Sequence, residues 1–297
     1  MKLYSGNGKF TPKSAPQPHH PRKKNVYHIR IIILSTIAAV LFIAVVGMGG
    51  YALHTAKASN EFEELAAIVH NTSSAGDKTA TSMPPVSNDD SPEIPFQETE
   101  PTVTPEKTIL PQYTQLYEEN PELFGWIQIK DTKIDYPVMH TPDDPEKYLH
   151  ANFKGEYSFG GIPFLDANCT ADSDNLIIYA HNMLDGSMFR TLLNYQEKTY
   201  WQNHPTIIFN TLYEEQEYEV LAAFYDRVYY KSETCFKFYQ FINAEDEADF
   251  DNAVLNYQEK ALYDTGVTAS FGDKLITLVT CAYHVENGRF VVVARRK

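Results

Sequence analysis

Hydrophobic and polar positions divide the chain into an apolar N-terminal run, a polar stretch and a long region of short apolar segments. Residues 31–53 contain no charged side chain and are rich in Ile, Val, Ala and Leu. As a helix, these 23 residues would extend about 35 Å, which exceeds the roughly 30 Å hydrocarbon core of a bilayer. The pattern therefore predicts one transmembrane helix, placed at residues 29–54, that attaches the chain to a lipid bilayer.

The two ends of this helix differ in charge. Residues 1–28 are polar and basic, and Arg22, Lys23, Lys24 and Arg30 lie on the N-terminal side of the apolar run. Positive residues favour the cytoplasmic side of a membrane, so residues 1–28 are predicted to be a cytoplasmic basic tail, with everything after residue 54 outside the cell. A cleaved signal peptide is the alternative, although its apolar region is normally shorter. Small residues after Leu53 leave cleavage open.

A polar stretch follows the apolar run. Residues 55–71 have the spacing of a brief helix, and the chain from about 71 to 105 is dominated by Ser, Thr, Pro, Asp and Glu. Such a composition cannot bury enough apolar surface to fold. The sequence therefore predicts an extracellular, acidic, flexible spacer over residues 55–106.

Many short apolar segments fill residues 107–297, which are predicted to be one folded domain. Strands are predicted at 124–129, 134–139, 161–165, 176–180, 206–212, 217–230, 275–281 and 289–294. Helices are predicted at 113–120, 142–149, 187–195 and 245–262. Because strands and helices do not alternate, the pattern indicates a mainly β domain, built as an antiparallel sheet or barrel with a few short helices.

Charge narrows the choice of partners. The net charge is −14, and residues 1–57 hold eight Lys or Arg and no Asp or Glu. The remaining 240 residues therefore hold 17 basic and 39 acidic residues, a balance of −22. Nucleic acid binding requires clustered cations, so nucleic acid is excluded as a partner of the large domain.

Three cysteines are too few and too scattered for a disulfide framework or a zinc site. Cys169 and Cys235 could pair, but their spacing does not decide it, and both are taken as ordinary thiols. Cys281 differs because it ends the apolar run Leu275–Cys281. A lone Cys at the end of a buried strand is more often a small core residue than a nucleophile, so its interpretation depends on the rest of the chain.

A cysteine nucleophile requires a group that handles protons and a donor for the developing oxyanion. Of the ten histidines, His181 is the strongest candidate, because it directly follows the predicted strand at 176–180 and precedes a turn. His284 lies three residues after Cys281, an odd offset that points to the opposite face of a strand.

The candidate oxyanion donor is Arg289, but two pairings of the last strands are possible. If Asn287-Gly288 forms a two-residue hairpin, Cys281 faces Ala294, Arg289 is remote and Arg295 becomes the competing candidate. If residues 282–288 form an open loop instead, Arg289 lies beside the sulfur. Local sequence leaves both pairings open.

Two motifs resemble a known family. Thr277-Leu278-Val279-Thr280-Cys281 matches the TLxTC signature of the sortases. The segment Tyr179-Ala180-His181-Asn182-Met183, followed by Asp185-Gly186-Ser187-Met188-Phe189, is similar to the histidine segment of class B sortases. The resemblance covers roughly residues 107–297.

The resemblance implies a closed or nearly closed sortase-type β-barrel and a membrane-anchored cysteine transpeptidase on a Gram-positive-type cell surface. Cys281 is then the nucleophile, His181 the general acid and base, and Arg289 the group that stabilises the oxyanion or the substrate. Thr280 is expected to contribute to the substrate pocket.

The implied reaction cleaves a C-terminal sorting signal after Thr and transfers the surface protein to a peptidoglycan precursor amine. No metal or organic cofactor is expected. Two alternatives remain at this point. One is a pilin-polymerising sortase that uses a pilin lysine, although no lid segment of the Asp-Pro-Trp/Phe type precedes the domain. The other is a non-catalytic, membrane-tethered binding module.

Overall fold

The computed structural model describes residues 24–76 and 107–297. Most of the predicted basic tail (1–23) and the larger part of the predicted spacer (77–106) lie outside the described residues. The chain divides after Leu53 into two units.

The first unit contains the start of helix α1 (Lys24–Gly76). The side chains of residues 30–53 are exposed, including the large apolar ones. By length and composition, this is the one helix of the described residues that could cross a membrane. The apolar helix expected near the N-terminus is therefore present, and its insertion and orientation stay predictions.

The second unit contains a closed β-barrel. Its strands are β1 (Leu123–Gln128), β2 (Asp135–Met139), β3 (Phe164–Leu165), β4 (Asn175–Tyr179), β5 (Thr206–Thr211), β6 (Glu217–Arg227), β7 (Leu275–Cys281) and β8 (Gly288–Arg296). Around the barrel they follow the order β1-β2-β3-β4-β7-β8-β6-β5, and β5 pairs with β1. The predicted closed, mainly β fold is confirmed.

Helices precede and connect the strands. They are α2 (Pro111–Glu119), α3 (Lys198–Asn203), α4 (Glu247–Lys260) and the 3₁₀ helices Lys147–Leu149, Phe189–Gln196 and Phe238–Gln240. The predicted helix at 245–262 corresponds to α4, which begins after Asp246 because the Asp246 carboxylate accepts a hydrogen bond from Asp249 N at 2.9 Å. Such an N-cap satisfies one of the amide groups left free at a helix start.

Strand pairing differs from the expected pattern at one place that matters for function. The pairs β2–β3 and β4–β7 are parallel, and the other pairs in the barrel are antiparallel. In the parallel pair β4–β7, Asn175 lies opposite Leu275 and Tyr179 lies opposite Val279. Both strands therefore end at the same rim of the barrel.

The predicted spacer is corrected at its N-terminal end. Residues 55–76 belong to α1, and Phe62, Leu65 and Val69 are buried in the same core as the barrel side chains. These positions recur at helical spacing, so they form one apolar stripe that can pack against the barrel. The brief helix expected at residues 55–71 is thus present and continues to Gly76.

Candidate active site

Cys281 lies where buried strand β7 reaches the rim of the barrel. Leu275 to Thr280 are buried, whereas Cys281 is partly exposed. The β-branched and aliphatic residues of the run favour a strand enclosed on both faces. The thiol therefore sits on a rigid element and is still reachable from outside.

The parallel pairing of β4 with β7 brings His181 to the same rim. Tyr179 pairs with Val279, and Ala180 N donates to Val279 O at 3.2 Å. His181 follows Tyr179 by two residues, as Cys281 follows Val279, so the two residues leave the paired strands at the same rim. A hydrogen bond from Asn182 Nδ2 to Cys281 O, at 2.8 Å, holds the ends of the two segments together.

The ring of His181 is held by a backbone carbonyl. His181 Nε2 lies 3.0 Å from Leu149 O, and a carbonyl oxygen only accepts, so Nε2 carries the hydrogen. In the neutral ring, Nδ1 is then the atom that can accept a proton. Burial lowers the pKa of His181 below its ordinary value, the bond to Leu149 O raises it in part, and a charge on His150 would lower it.

A second histidine contacts the first. The rings of His150 and His181 are stacked with centroids 5.4 Å apart. The Tyr157 ring also stacks on His150, with centroids 6.4 Å apart. The sequence assigned no role to His150, because it lies 31 residues before His181 and nothing local links the two. The pairing arises from the loop that follows the 3₁₀ helix Lys147–Leu149.

Arg289 lies directly opposite Cys281. The two residues are Cα partners in the antiparallel β7–β8 pair. Arg289 Nη1 donates to Gly288 O at 3.0 Å and to Asn287 O at 3.3 Å. These bonds keep a permanent positive charge at the rim, next to the strand end that carries the thiol.

The tight-hairpin alternative is therefore wrong. Leu275 pairs with Arg295, which puts Arg295 at the far end of β7, where it donates to Thr268 O. The Asn287-Gly288 pair does form a turn, since Gly288 N donates to Val285 O, but strand pairing begins only at Cys281. A Cβ on Gly288 would lie 2.2 Å from Ala282 O, so this close approach requires glycine.

Asn182 braces the turn after the histidine. Its side chain accepts from Arg190 Nη1 at 3.0 Å while donating to Cys281 O. Phe189 N donates to His181 O at 3.0 Å. The turn that follows β4 is thus fixed to the end of β7 and to its own continuation.

Thr280 has a structural contact. It is buried, and its hydroxyl donates to Ala180 O at 2.9 Å. This bond ties β7 to the segment that follows β4, one residue before His181 and Cys281. The predicted contribution of Thr280 to the substrate pocket stays a prediction.

The three cysteines are all free thiols with different surroundings. Cys169 is buried, Cys235 is exposed and Cys281 is intermediate. Burial raises the pKa of Cys169 to about 12, so this thiol stays protonated and unreactive. Among the described residues no three His, Cys, Asp or Glu side chains are grouped as metal ligands, and the expectation of a cofactor-free reaction stays a prediction.

Comparisons with known proteins point to one family. A family model described as the Sortase domain matches residues 127–297. Sortase B of Listeria monocytogenes serovar 1/2a is 35% identical over 179 residues, covering 58% of this chain and 69% of the relative. Sortase B of Staphylococcus aureus is 27% identical over 191 residues, covering 63% of this chain and 75% of the relative.

Solved structures extend the likeness to three dimensions. Sortase B from B. anthracis in complex with AAEK1 is 30% identical, with a TM-score of 0.56, and the match covers 63% of this chain and 85% of that one. A Staphylococcus aureus sortase B–substrate complex has a TM-score of 0.65 at 21% identity over 82% of this chain and 98% of that one, which shows a shared fold. The alternative of a non-catalytic binding module is therefore wrong, and the chain belongs to class B of the sortases, a family of cysteine transpeptidases.

Proposed function

We propose that the chain is a membrane-anchored transpeptidase that cleaves a C-terminal sorting signal after Thr and transfers the acyl part to an amine of a peptidoglycan precursor. The single observation that carries this proposal is the strand register at the rim. β4 ends two residues before His181 and runs parallel to β7, which ends at Cys281, and Arg289 on β8 is the Cα partner of Cys281. This arrangement supports a site in which the three side chains act together. A nucleophile, a base and a fixed cation are the groups that acyl transfer requires.

In the first step, the thiol proton of Cys281 passes to His181 and the sulfur attacks the Thr carbonyl carbon. The C–N bond then breaks, and His181 gives its proton to the leaving amine, so a thioester remains on Cys281. Nδ1 is the ring nitrogen that handles this proton, because Nε2–H is engaged with Leu149 O. The lowered pKa of His181 makes the imidazolium a stronger acid toward the leaving amine.

In the second step, the incoming amine attacks the thioester carbonyl. Its excess proton passes to His181, the C–S bond breaks and the thiolate of Cys281 is regenerated. In both steps negative charge develops on the carbonyl oxygen, and Arg289 would donate to it. A guanidinium suits this role because it remains charged at every working pH.

The N-terminal helix supports the proposed location at the membrane. Exposed apolar side chains over residues 31–53 match the surface that a lipid-embedded helix presents. The basic residues before the helix support a cytoplasmic tail and an extracellular barrel. The partners are then the lipid bilayer, a surface protein that carries the sorting signal, and the acceptor amine.

The test is a product analysis with the full chain in detergent micelles. Fluorogenic peptides ending in varied sorting signals are incubated with and without an amine acceptor such as a short glycine or diaminopimelate peptide. The proposal predicts cleavage after Thr, and an amide-linked product that replaces the hydrolysis product when acceptor is added. Cleavage at another bond, or no incorporation of any acceptor peptide, would contradict it.

A further inference from the structure

The part of α1 that belongs to the barrel unit contacts the loop that holds His181. This part, residues 56–73, is called the brace helix below. It packs through buried Phe62, Leu65 and Val69, and at its far end His70 Nε2 lies 2.8 Å from Asp135 Oδ2 on β2. The brace helix is therefore fixed to the barrel at several points, and one polar contact reaches the turn that follows His150.

That polar contact joins Glu61 to Asn152. Asn152 Nδ2 donates to Glu61 Oε2 at 3.1 Å, and its second, longer contact is to Glu156 Oε2 at 3.4 Å. The second carboxylate oxygen of Glu61 is buried and has no hydrogen-bond partner among the described residues. The Asn152 amide is itself 7% exposed, so both groups give up hydration to form this bond, and each is costly to leave unpaired.

Asn152 shapes the turn that follows His150. Its Oδ1 accepts from Lys154 N at 3.1 Å and from Glu156 N at 2.8 Å. A side chain that caps a turn in this way determines the path of the backbone. Because the same side chain bonds Glu61, the position of the turn is tied to the brace helix.

The turn is connected to His181 through the backbone. Ala151 forms a β-bridge with Tyr157, and Ser158 N donates to His150 O at 3.0 Å. Three residues before Asn152, Leu149 O bonds His181 Nε2, while the His150 ring stacks on His181. A shift of this turn would therefore move both groups that hold the imidazole.

The brace helix also supports the segment on the other side of His181. The Phe62 ring packs edge-on against Tyr136 at 5.1 Å. The Tyr136 hydroxyl accepts from Met188 N at 3.2 Å, and Met188 bridges back to Asn182, the residue after His181. Met188 has a φ of 54°, an uncommon backbone conformation for this residue that requires support from its surroundings.

We propose that Glu61 is a positioning residue for the reaction: through Asn152, the brace helix fixes the Leu149–His150 backbone and thereby the ring orientation and tautomer of His181. The expected effect on kcat rests on the proposed function, in which His181 is the general acid and base. The effect on the His181 ring is independent of any role of that ring in the reaction.

The experiment compares Glu61→Ala with two matched controls in the full chain, solubilised in detergent and labelled with ¹⁵N-histidine. Glu61→Gln retains an acceptor oxygen for Asn152. His70→Ala removes a contact of the same brace helix that lies on β2, away from the His181 loop. The ¹⁵N shifts of His181, assigned from a His181→Gln spectrum, report the tautomer, and peptide turnover gives kcat and KM separately.

Wild type, Glu61→Gln and His70→Ala are expected to keep the Nε2–H tautomer of His181. Glu61→Ala is expected to show mixed tautomers and a kcat about tenfold lower with little change in KM, because small misplacements of a reacting group are costly. If Glu61→Ala does not fold, Glu61→Met, which retains side-chain length and loses the acceptor, takes its place.

Three other outcomes are decisive. An unchanged His181 tautomer in Glu61→Ala overturns the inference, whatever happens to turnover. An equal disturbance in His70→Ala also overturns it, because the effect is then general undocking of the brace helix. Mixed tautomers with unchanged kcat support the positioning role of Glu61 and instead overturn the proposed catalytic role of His181.

Discussion

Replacing Arg289 by Ala tests the strand register and the oxyanion role together. Arg289 is the Cα partner of Cys281, whereas Arg295 is the partner of Leu275 at the other end of β7. The offset of six positions between the two arginines corresponds to about 20 Å along β8. One arginine is thus the cross-strand neighbour of Cys281, and an equivalent one on the same strand is remote from it.

This difference in position converts into a difference in rate. Loss of one donor to a developing oxyanion costs about 3–4 kcal/mol, or a factor of about 100–1000 in kcat. At about 20 Å in water, a unit charge contributes about 0.2 kcal/mol, which is less than a twofold effect. Arg295→Ala gives up its bond to Thr268 O, and this should lower the free energy of unfolding by about 1 kcal/mol without slowing turnover.

The assay is cleavage of a fluorogenic sorting-signal peptide by the full chain, with thermal unfolding measured in parallel. Arg289→Ala should lower kcat by about two to three orders of magnitude, and Arg289→Lys should recover part of the loss because it retains the charge without the planar fork. If Arg295→Ala lowered kcat as much as Arg289→Ala does, the position of Arg289 opposite Cys281 could not be the cause of its effect. An Arg289→Ala variant that turns over at the wild-type rate would refute the oxyanion role.

Two further predictions concern pH and stability. Burial lowers the folded-state pKa of His181 below 6.5, so as pH falls the unfolded chain binds a proton before the folded chain does. His181 should therefore reduce the free energy of unfolding below about pH 6.5. In urea titrations from about pH 7.5 to 5, the free energy of unfolding should fall less steeply for His181→Gln than for wild type. Lys260 Nζ lies 2.8 Å from the buried Asp226 carboxylate, and Lys260→Met removes this contact. The carboxylate keeps its bonds to Tyr229 and the Arg227 amide but loses the ammonium group, so the free energy of unfolding in urea should fall by about 1–3 kcal/mol. The double variant Asp226→Asn/Lys260→Met should recover most of that loss, and a Lys260→Met chain as stable as wild type would contradict the assigned ion pair.

Local sequence was enough to predict the strand that carries the thiol. The apolar run predicted strand 275–281, and β7 has the same limits, because an uninterrupted β-branched segment bounded by polar residues has few other ways to be buried. The helix at 245–262 was likewise predictable from its spacing and its acidic start, within two residues at each end. The proximity of His181 required the family resemblance.

Contacts between distant segments were not predictable from local pattern. The Asn287-Gly288 turn is compatible with two pairings of β7 and β8, and the one that forms depends on the close approach of Gly288 to Ala282 O. The stacking of His150 on His181 and the bond of Glu61 to Asn152 join segments that are far apart in sequence. Periodicity within one element carries no information on such pairs.

The role of Cys281 as nucleophile is tested most directly by identifying the residue that carries the acyl group. The full chain is incubated with a sorting-signal peptide, quenched in acid, digested and examined by mass spectrometry, with Cys235→Ser as a control because Cys235 is the exposed thiol among the three. If Cys281 is the nucleophile, an acyl adduct forms on Cys281, hydroxylamine removes it, and Cys235→Ser retains it. Peptide cleavage without an adduct on Cys281, or an adduct that disappears in Cys235→Ser, would contradict this role.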